Sequence, residues 1–259
     1  MDISKAYEVG RLTGGHSRDR IFVLEVGQLA TNCYLYVSKG QVLVIDPGAE
    51  GALLARFISQ LAEDGDLTEG QSLQMVGIVA THGHKDHVGG VESFRTEAVR
   101  LGLFDSETSW DKADGKEIQG PAFYLAQPDI AQATMPGRGS DFFSHEDAAS
   151  YPDAVLKPGD EFKVGQAAFS VYSLPGHTQG SIALVGRLGA QGIAFVGDSI
   201  FKESIGRVDL EGGDAVQLVR SVVGFMEGLP DATVLLPGHG EATWVKHEKE
   251  YNPYLKNKF

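Results

Sequence analysis

Short apolar runs, each followed within two residues by Asp, His, Gly or Pro, recur along the whole chain. They are four to six residues long and rich in β-branched side chains, which is typical of buried strands. The runs cover residues 42–45, 75–80, 169–174, 193–196 and 233–236. Because α/β proteins place their chemistry where the strands of a sheet end, this pattern predicts a site along one sheet edge.

Other segments show helical or hairpin patterns. Apolar residues at helical spacing predict helices at 52–63, 88–101 and 215–227. Asp214 stands just before the last of these and is expected to be its N-cap. Residues 21–26 and 34–37 are expected to form a pair of hairpin-like strands. Strands that alternate with helices indicate the α/β class.

Residues 102–153 differ from their surroundings, since they are rich in Gly, Pro, Asp and Ser and have weak periodicity. Scattered aromatic residues argue against disorder in this stretch. We expect an irregular insertion that lies near the active site and shapes a substrate pocket, within a single domain of residues 1–259. A surface insertion without functional consequence fits the same composition.

Composition narrows the functional classes. A chain of 259 residues with 42% hydrophobic and 22% charged residues is ordinary for a globular protein, and no apolar stretch is long enough to span a bilayer. The formal charge of −13 disfavours a nucleic-acid partner, which would need a cationic surface. A single cysteine, Cys33, and an N-terminus without a basic region and apolar core predict a cytoplasmic protein.

The loop Thr81-His-Gly-His-Lys-Asp-His87 follows one of the predicted strands and contains three imidazoles and a carboxylate. His82 and His84 are two residues apart in an extended stretch, so they point to the same side and can share one cation. Asp86 and His87 come where a helix can begin, and they face a second cation position. Imidazole and carboxylate are the ligands that borderline divalent metals take. A polar turn that is merely rich in histidine is the alternative, which the HxHxDH spacing disfavours.

Three later strand ends supply the ligands that this loop lacks. His177 can complete a three-histidine set with the first two histidines, and His239 can join the aspartate and histidine that follow. Asp198 can offer one oxygen to each of two cations. Two metals with a hydroxide between them are a known device for attacking a carbonyl or phosphoryl centre. We therefore expect two divalent cations, zinc first, with iron or manganese also compatible with nitrogen and oxygen ligands.

The motifs THxHxDH, PGHT, GDxxF and PGHG, in this order after a VIDPG strand, resemble those of the metallo-β-lactamase superfamily. The resemblance spans residues 23–255 and is weakest in the stretch 102–153. It implies a four-layer αββα sandwich with a dinuclear site at one edge of the two sheets. By motif position it assigns His82, His84 and His177 to metal one, Asp86, His87 and His239 to metal two, and Asp198 to the bridge between them.

Narrower motifs are similar to those of the bacterial glyoxalase II-like hydrolases, namely GDSIF at 197–201, SIGRVDL at 204–210 and NPYL at 252–255. That group hydrolyses glutathione thioesters, which implies a small-molecule substrate such as a hydroxyacylglutathione. A metal-bridging hydroxide would attack the thioester carbonyl, with Asp86 and Asp198 as the carboxylates of the catalytic centre. The β-lactamases of the superfamily commonly have cysteine at the bridging position, so Asp198 argues against that activity.

Residues beside the ligands have expected roles of their own. Asp46 is expected to accept a hydrogen bond from a ligand histidine, and its place before Pro-Gly also suits a turn. The hydroxyls of Thr81 and Thr178 are expected to support ligand histidines in the same way. Arg207 is a candidate anchor for a substrate carboxylate, and a structural ion pair is the equal alternative.

Three other functions stay open from the sequence. A persulfide dioxygenase has a related ligand pattern but uses a single iron and oxygen. A lactone or phosphodiester hydrolase would work on the same pair of metals. A non-catalytic ligand-binding protein of this fold is disfavoured because all seven ligand positions carry suitable residues.

Overall fold

The computed structural model describes residues 7–8, 19–63, 73–104, 120–135, 151–256 and 258. The strands of the first sheet, in spatial order, are β1 (Tyr7–Glu8), β2 (Arg20–Val26), β3 (Thr31–Ser38), β4 (Gln41–Ile45), β5 (Gln74–Val79), β6 (Phe123–Ala126) and β7 (Ala154–Leu156). The following strands are β8 (Glu161–Val164), β9 (Ala167–Ser173), β10 (Ile182–Leu188), β11 (Gln191–Gly197), β12 (Ile200–Phe201), β13 (Ser204–Ile205), β14 (Val234–Pro237) and β15 (Thr243–Trp244). The second sheet has the order β15-β14-β11-β10-β9-β8, while β12 and β13 form a separate hairpin.

The described helices are α1 (Gly51–Leu61), α2 (Lys85–Val88), α3 (Val91–Arg100), α4 (Ile130–Thr134), α5 (Ala215–Glu227) and α6 (Val245–Tyr251). The single helix expected at 88–101 is wrong in its extent, since α2 ends and α3 begins on either side of Gly89-Gly90. Two consecutive glycines weaken a helix because they lose the most backbone entropy when they are fixed. No helix in the described ranges is long and apolar enough to cross a membrane.

Three apolar layers form the core. Between the two sheets, Tyr36 packs edge-on against Phe169 with ring centroids 4.7 Å apart. On the outer face of the first sheet, Leu54 of α1 and Phe94 of α3 cover the strands. On the outer face of the second sheet, α5 packs through buried residues that include Leu218. Helix, sheet, sheet and helix follow one another, which confirms the predicted αββα sandwich.

Parallel pairing brings the ends of several strands to the same edge. Strands β4, β5, β6 and β7 pair in parallel, and so do β11 and β14 of the second sheet. The residues that follow these strands therefore lie along one edge, as the sequence pattern predicts. This edge carries the loops that contain Asp46, His82, Asp198 and His239.

The stretch expected to be irregular contains regular structure in its described part. Residues 123–126 form β6, which extends the first sheet beside β5. A 3₁₀ turn (Gln127–Asp129) and α4 follow directly. The expectation of an irregular insertion is therefore wrong for residues 123–134. The sequence does not indicate this strand clearly, because the apolar run after Pro121 is short and is flanked by Gly, Pro and Gln. The rest of that insertion, 105–119 and 136–150, lies outside the described residues.

The predicted N-cap of α5 is present and offers a first test. The side chain of Asp214 accepts a hydrogen bond from Gln217 N at 2.9 Å. Replacing Asp214 with Ala is expected to lower the free energy of unfolding by about 1 kcal/mol, because the N–H then loses its intramolecular acceptor. Asp214→Asn should cost less, since Asn is an equally good cap. Urea denaturation measures both variants, and equal stability of Asp214→Ala and the unmodified protein would contradict the prediction.

Candidate metal centre

Three histidine ring nitrogens lie close together where the loop after β5 meets the loop between β9 and β10. His82 Nε2 lies 3.0 Å from His84 Nδ1. His177 Nε2 lies 3.2 Å from His82 Nε2 and 2.9 Å from His84 Nδ1. Two of these histidines come from the loop after β5, and His177 comes from the loop between β9 and β10. We call this group the three-histidine set.

The three-histidine set fits a divalent cation. A close contact between two ring nitrogens is favourable only when one is an N–H donor and the other an acceptor. Among three mutually close nitrogens at least two are of the same kind, so neutral rings cannot satisfy all three contacts at once. Ligand nitrogens about 2.0–2.1 Å from a tetrahedral metal are about 3.4 Å apart, close to the spacing seen. Burial, together with the charges of neighbouring histidines, holds the pKa of His82 well below its ordinary value and lowers the pKa of His84 to about 4. Both rings are therefore neutral at pH 7, which is the form that binds metal.

A second group lies beside the first and combines one carboxylate with two imidazoles. Asp86 Oδ2 is 3.6 Å from His87 Nε2 and 3.2 Å from His239 Nε2, and we call these three residues the mixed set. Helix α2 holds the first two together, and the loop after β14 supplies the third. Burial by itself raises the pKa of Asp86, but the hydrogen bond and charge of the histidines bring it below its ordinary value.

Asp198 connects the two groups. Its Oδ1 lies 3.4 Å from His87 Nε2, and its Oδ2 lies 3.7 Å from His177 Nε2 and 3.6 Å from His239 Nε2. Within the described residues, His87 Nε2 and Asp198 Oδ1 are buried and have no hydrogen-bond partner. Buried polar atoms of this kind are costly unless a ligand pairs them, so they match a cation between them.

The charges around these atoms oppose the effect of burial. Burial by itself lowers the pKa of His87, but the neighbouring Asp198 and Asp46 raise it well above its ordinary value. Conversely, burial alone would raise the pKa of Asp198, and the charge of His87 lowers it. Asp86 and Asp198 are therefore ionised at pH 7, as oxygen ligands of a metal must be.

Asp46 occupies the position expected beside a ligand histidine. It accepts hydrogen bonds from Thr81 N at 2.7 Å and from the Thr81 hydroxyl at 2.8 Å. Its Oδ2 also lies 3.0 Å from His87 Nδ1, a close contact whose angle departs from that of a hydrogen bond. The Thr81 oxygen lies 3.2 Å from His82 Nδ1. Asp46 therefore contacts His87 of the mixed set, and Thr81 contacts His82 of the three-histidine set.

Thr178 and Arg207 are placed differently from the expectation. The Thr178 hydroxyl, for which we expected a histidine partner, contacts the side chains of Asp129 and Ser181, each at 2.7 Å. The Nδ1 of His177 instead lies 2.8 Å from the main-chain carbonyl oxygen of Arg207. The guanidinium of Arg207 forms two 2.8 Å hydrogen bonds to Asp209. The ion pair is thus present, while the same side chain also lines the pocket described below.

Three supporting residues escaped the sequence reasoning. Asn32 donates from its side-chain nitrogen to the carbonyl oxygens of Pro237 and Gly240. Tyr34 donates to the carbonyl oxygen of Pro237 at 2.7 Å, so β3 holds the loop of His239. Asp129, which is buried, was missed because β6 was not recognised, although an Asp just after an apolar run was the signal used elsewhere.

A pocket of about 630 Å³ opens over both sets. Asp198 and one face of each set lie in its wall. The rest of the described lining is of two kinds, apolar (Leu29, Phe201 and Leu210) and polar or cationic (Lys85, Gln132 and Arg207). A small molecule with an apolar portion and an anionic group matches this lining.

Asp46 provides a test of the support around the centre. In Asp46→Asn, an amide nitrogen would face either Thr81 or His87 in place of an acceptor oxygen. The backbone tolerates the change, because residue 46 has φ 55° and Asn adopts the left-handed region readily. We expect metal affinity to fall about 10–100-fold. Chelator competition measures it, and an affinity equal to that of the unmodified protein would show that Asp46 does not orient a ligand.

Comparisons with known sequences agree with this geometry. The chain matches the Metallo-beta-lactamase superfamily over residues 26–239. An uncharacterized protein of Aquifex aeolicus is 33% identical over 238 residues, covering 90% of this chain and 96% of that protein. The hydroxyacylglutathione hydrolase GloC of Haemophilus influenzae is 28% identical over 239 residues, covering 92% of this chain and 99% of GloC.

Solved structures show the same architecture. The BLEG-1 B3 metallo-beta-lactamase has a TM-score of 0.71 and 25% identity, covering 92% of this chain and 100% of the other. TTHA1623 in a di-iron-bound form has a TM-score of 0.64 and 27% identity, covering 90% of this chain and 100% of the other. With the sandwich, the clustered histidines and aspartates and a family match over most of its length, this chain belongs to the metallo-β-lactamase superfamily.

Proposed function

We propose that this protein is a metal-dependent hydrolase that cleaves a thioester such as a hydroxyacylglutathione. The observation that carries the proposal is the position of Asp198, whose two oxygens face both ligand sets at the wall of an open pocket. A carboxylate shared in this way suits two cations held side by side. Membership of the metallo-β-lactamase superfamily supports a hydrolytic reaction.

We assign the three-histidine set to one cation and the mixed set to the other, with Asp198 between them. A bound pair of divalent cations supplies hydroxide at neutral pH and stabilises negative charge on an attacked carbonyl oxygen. The protein's part is to keep the rings of His82 and His84 neutral by burial and to keep Asp86 and Asp198 charged through the neighbouring histidines. At His87, whose pKa the carboxylates raise, a bound cation would take the place of the proton. Zinc is the cation that we propose, and iron is a real alternative because TTHA1623 is described in a di-iron-bound form.

The walls of the pocket bind and orient the substrate in this proposal. Leu29, Phe201 and Leu210 offer apolar surface for the acyl or thiol portion. Lys85 adds positive charge at the same pocket, which suits a substrate that carries a carboxylate. Arg207 lies there too, with its guanidinium paired to Asp209. GloC supports the thioester as substrate because its match extends over nearly the full length of both chains.

A small substrate panel, paired with elemental analysis of the purified protein, tests the proposal. The panel contains S-lactoylglutathione, a lactone, a phosphodiester, a β-lactam and glutathione persulfide. We expect two metal ions per chain and hydrolysis of S-lactoylglutathione well above that of the others. The β-lactam belongs in the panel because of the structural similarity to BLEG-1. If another member of the panel is hydrolysed faster than S-lactoylglutathione, the proposal that the substrate is a thioester is wrong.

The second candidate, a persulfide dioxygenase, has its own signature in the same experiment. It would show one iron per chain and consumption of oxygen with glutathione persulfide. The presence of a complete mixed set beside the three-histidine set favours the dinuclear hydrolase. Location in the cytoplasm and the lack of a nucleic-acid partner stay predictions from the single cysteine and the charge of −13.

A further inference from the structure

Asp129 is a buried carboxylate at the end of the 3₁₀ turn after β6. Its Oδ2 accepts hydrogen bonds from Gly83 N at 2.9 Å and from the hydroxyl of Thr178 at 2.7 Å. Its Oδ1 accepts a hydrogen bond from Gly180 N at 2.7 Å. One side chain therefore joins two loops that are nearly a hundred residues apart in sequence.

Both loops carry the three-histidine set. Gly83 stands between two of its histidines, and Thr178 follows the third directly. The two glycines leave room for Asp129, Gly83 for its main chain and Cβ and Gly180 for its carboxylate. A Cβ at Gly83 would lie 2.5 Å from the carbonyl oxygen of Asp129, and a Cβ at Gly180 would lie 2.5 Å from its Cγ. Since real Cβ atoms do not approach so closely, both loops are fitted around Asp129.

The mixed set has different supports. His87 has Asp46 beside its Nδ1. The loop of His239 is held by Asn32, whose main-chain N–H donates to the carbonyl oxygen of Gly238 at 2.7 Å. The hydrogen bonds of Asp129 described above go to Gly83, Thr178 and Gly180, each within three residues of a histidine of the three-histidine set. Asp86 and His87 lie further along the first of these loops, in α2. A change at Asp129 should therefore lower cation affinity at the three-histidine set more than at the mixed set.

We propose that Asp129 is a positioning residue that fixes the spacing of the three-histidine set and so sets the affinity of one of the two cation sites. The carboxylate acts through the backbone of Gly83 and Gly180 and through the hydroxyl of Thr178. The inference rests on the proposed function, because it requires cations at both sets. A buried carboxylate that accepts several hydrogen bonds holds its partners firmly, since each is costly to leave unpaired.

Titration of metal-free protein with Co²⁺, with a chelator as competitor, tests this role by binding rather than by turnover. In Asp129→Asn the amide cannot accept from all three donors, so the main-chain N–H of Gly83 or of Gly180 faces an amide nitrogen and loses its acceptor. We expect one of the two Co²⁺ affinities to fall about 10–100-fold while the other stays within about threefold. Thr178→Val removes one of the three hydrogen bonds and should weaken the same site by less. In the double variant the two losses should fall short of their sum, because both act on one contact.

Asp19→Asn is the matched control. Asp19 is also buried and accepts hydrogen bonds from Tyr36, Ser38 and Gln166. It lies beside the C-terminal end of β3, whereas the candidate metal centre lies beside the N-terminal end of that strand, at Thr31. We expect it to destabilise the fold and to leave both Co²⁺ affinities unchanged. Equal weakening in Asp19→Asn, or unchanged affinities in Asp129→Asn, would overturn the inference and leave the proposed function standing. If Asp129→Asn does not fold, Thr178→Val decides by the same criterion, whereas an unmodified protein that binds no Co²⁺ would refute the proposed function itself.

Discussion

Replacing Asp198 with Ala is expected to lower turnover about 10³-fold, which corresponds to about 4 kcal/mol of lost transition-state stabilisation. The reason is geometric, since the two oxygens of Asp198 face His87 on one side and His177 on the other. No other described carboxylate is grouped with His82 and His87 in this way. Steady-state kinetics with S-lactoylglutathione and the metal content of the same sample measure the effect.

Two further variants separate a bridging role from a general loss of charge. Asp198→Asn keeps the shape and one oxygen, so it should retain more metal than Asp198→Ala and still lose most of its turnover. Asp231→Ala removes a surface carboxylate that pairs with Lys249 at 2.9 Å, and it should leave kinetics and metal content unchanged. Near-normal turnover in Asp198→Ala would refute the bridging role outright.

Removing the metal with a chelator is expected to abolish hydrolysis and to lower thermal stability. A folded protein that holds a ligand at a concentration of about 100 times Kd gains about 2.7 kcal/mol, and this gain is lost when the ligand is removed. Stripping also leaves buried polar atoms such as His87 Nε2 and Asp198 Oδ1 without a partner. Thermal unfolding with and without chelator, followed by addition of Zn²⁺, measures the loss and its recovery.

The Asp198→Ala variant serves as the control for this stabilisation. It keeps the fold's core but lacks the carboxylate between the two sets, so chelation should lower its melting temperature by less than in the unmodified protein. Equal shifts in both proteins would mean that the stabilising cation binds elsewhere. No shift in either would mean that the clustered residues hold no cation in the folded state.

The sequence was a good guide wherever one local rule decided the structure. The apolar run 75–80 predicted a strand, and β5 is observed at Gln74–Val79. The helix at 215–227 and its cap at Asp214 are confirmed to the residue, since capping and periodicity agree there. The convergence of the seven predicted metal ligands also followed from a local rule, because strands that run in the same direction deliver their following loops to one edge. Strand β9, which precedes His177, runs in the same direction as β11, since both pair antiparallel with β10.

The sequence failed where tertiary contacts decide. Strand β6 has only four residues and pairs in parallel with two neighbours, so its burial comes from the sheet and not from its own pattern. The sequence therefore does not reveal Asp129, although it is the partner of the Thr178 hydroxyl, for which the sequence predicts a histidine. Which acceptor a buried hydroxyl finds depends on the fold of both loops, and a pattern of residue types does not contain that information.

The central claim is that seven side chains hold two divalent cations side by side, and counting the cations tests it most directly. Metal-free protein titrated with Zn²⁺ in a calorimeter, with hydrolysis of S-lactoylglutathione assayed at each step, should bind two equivalents per chain. Full hydrolysis should appear only as the second equivalent binds. Saturation at one equivalent or fewer, or full hydrolysis before any Zn²⁺ is added, would contradict the claim.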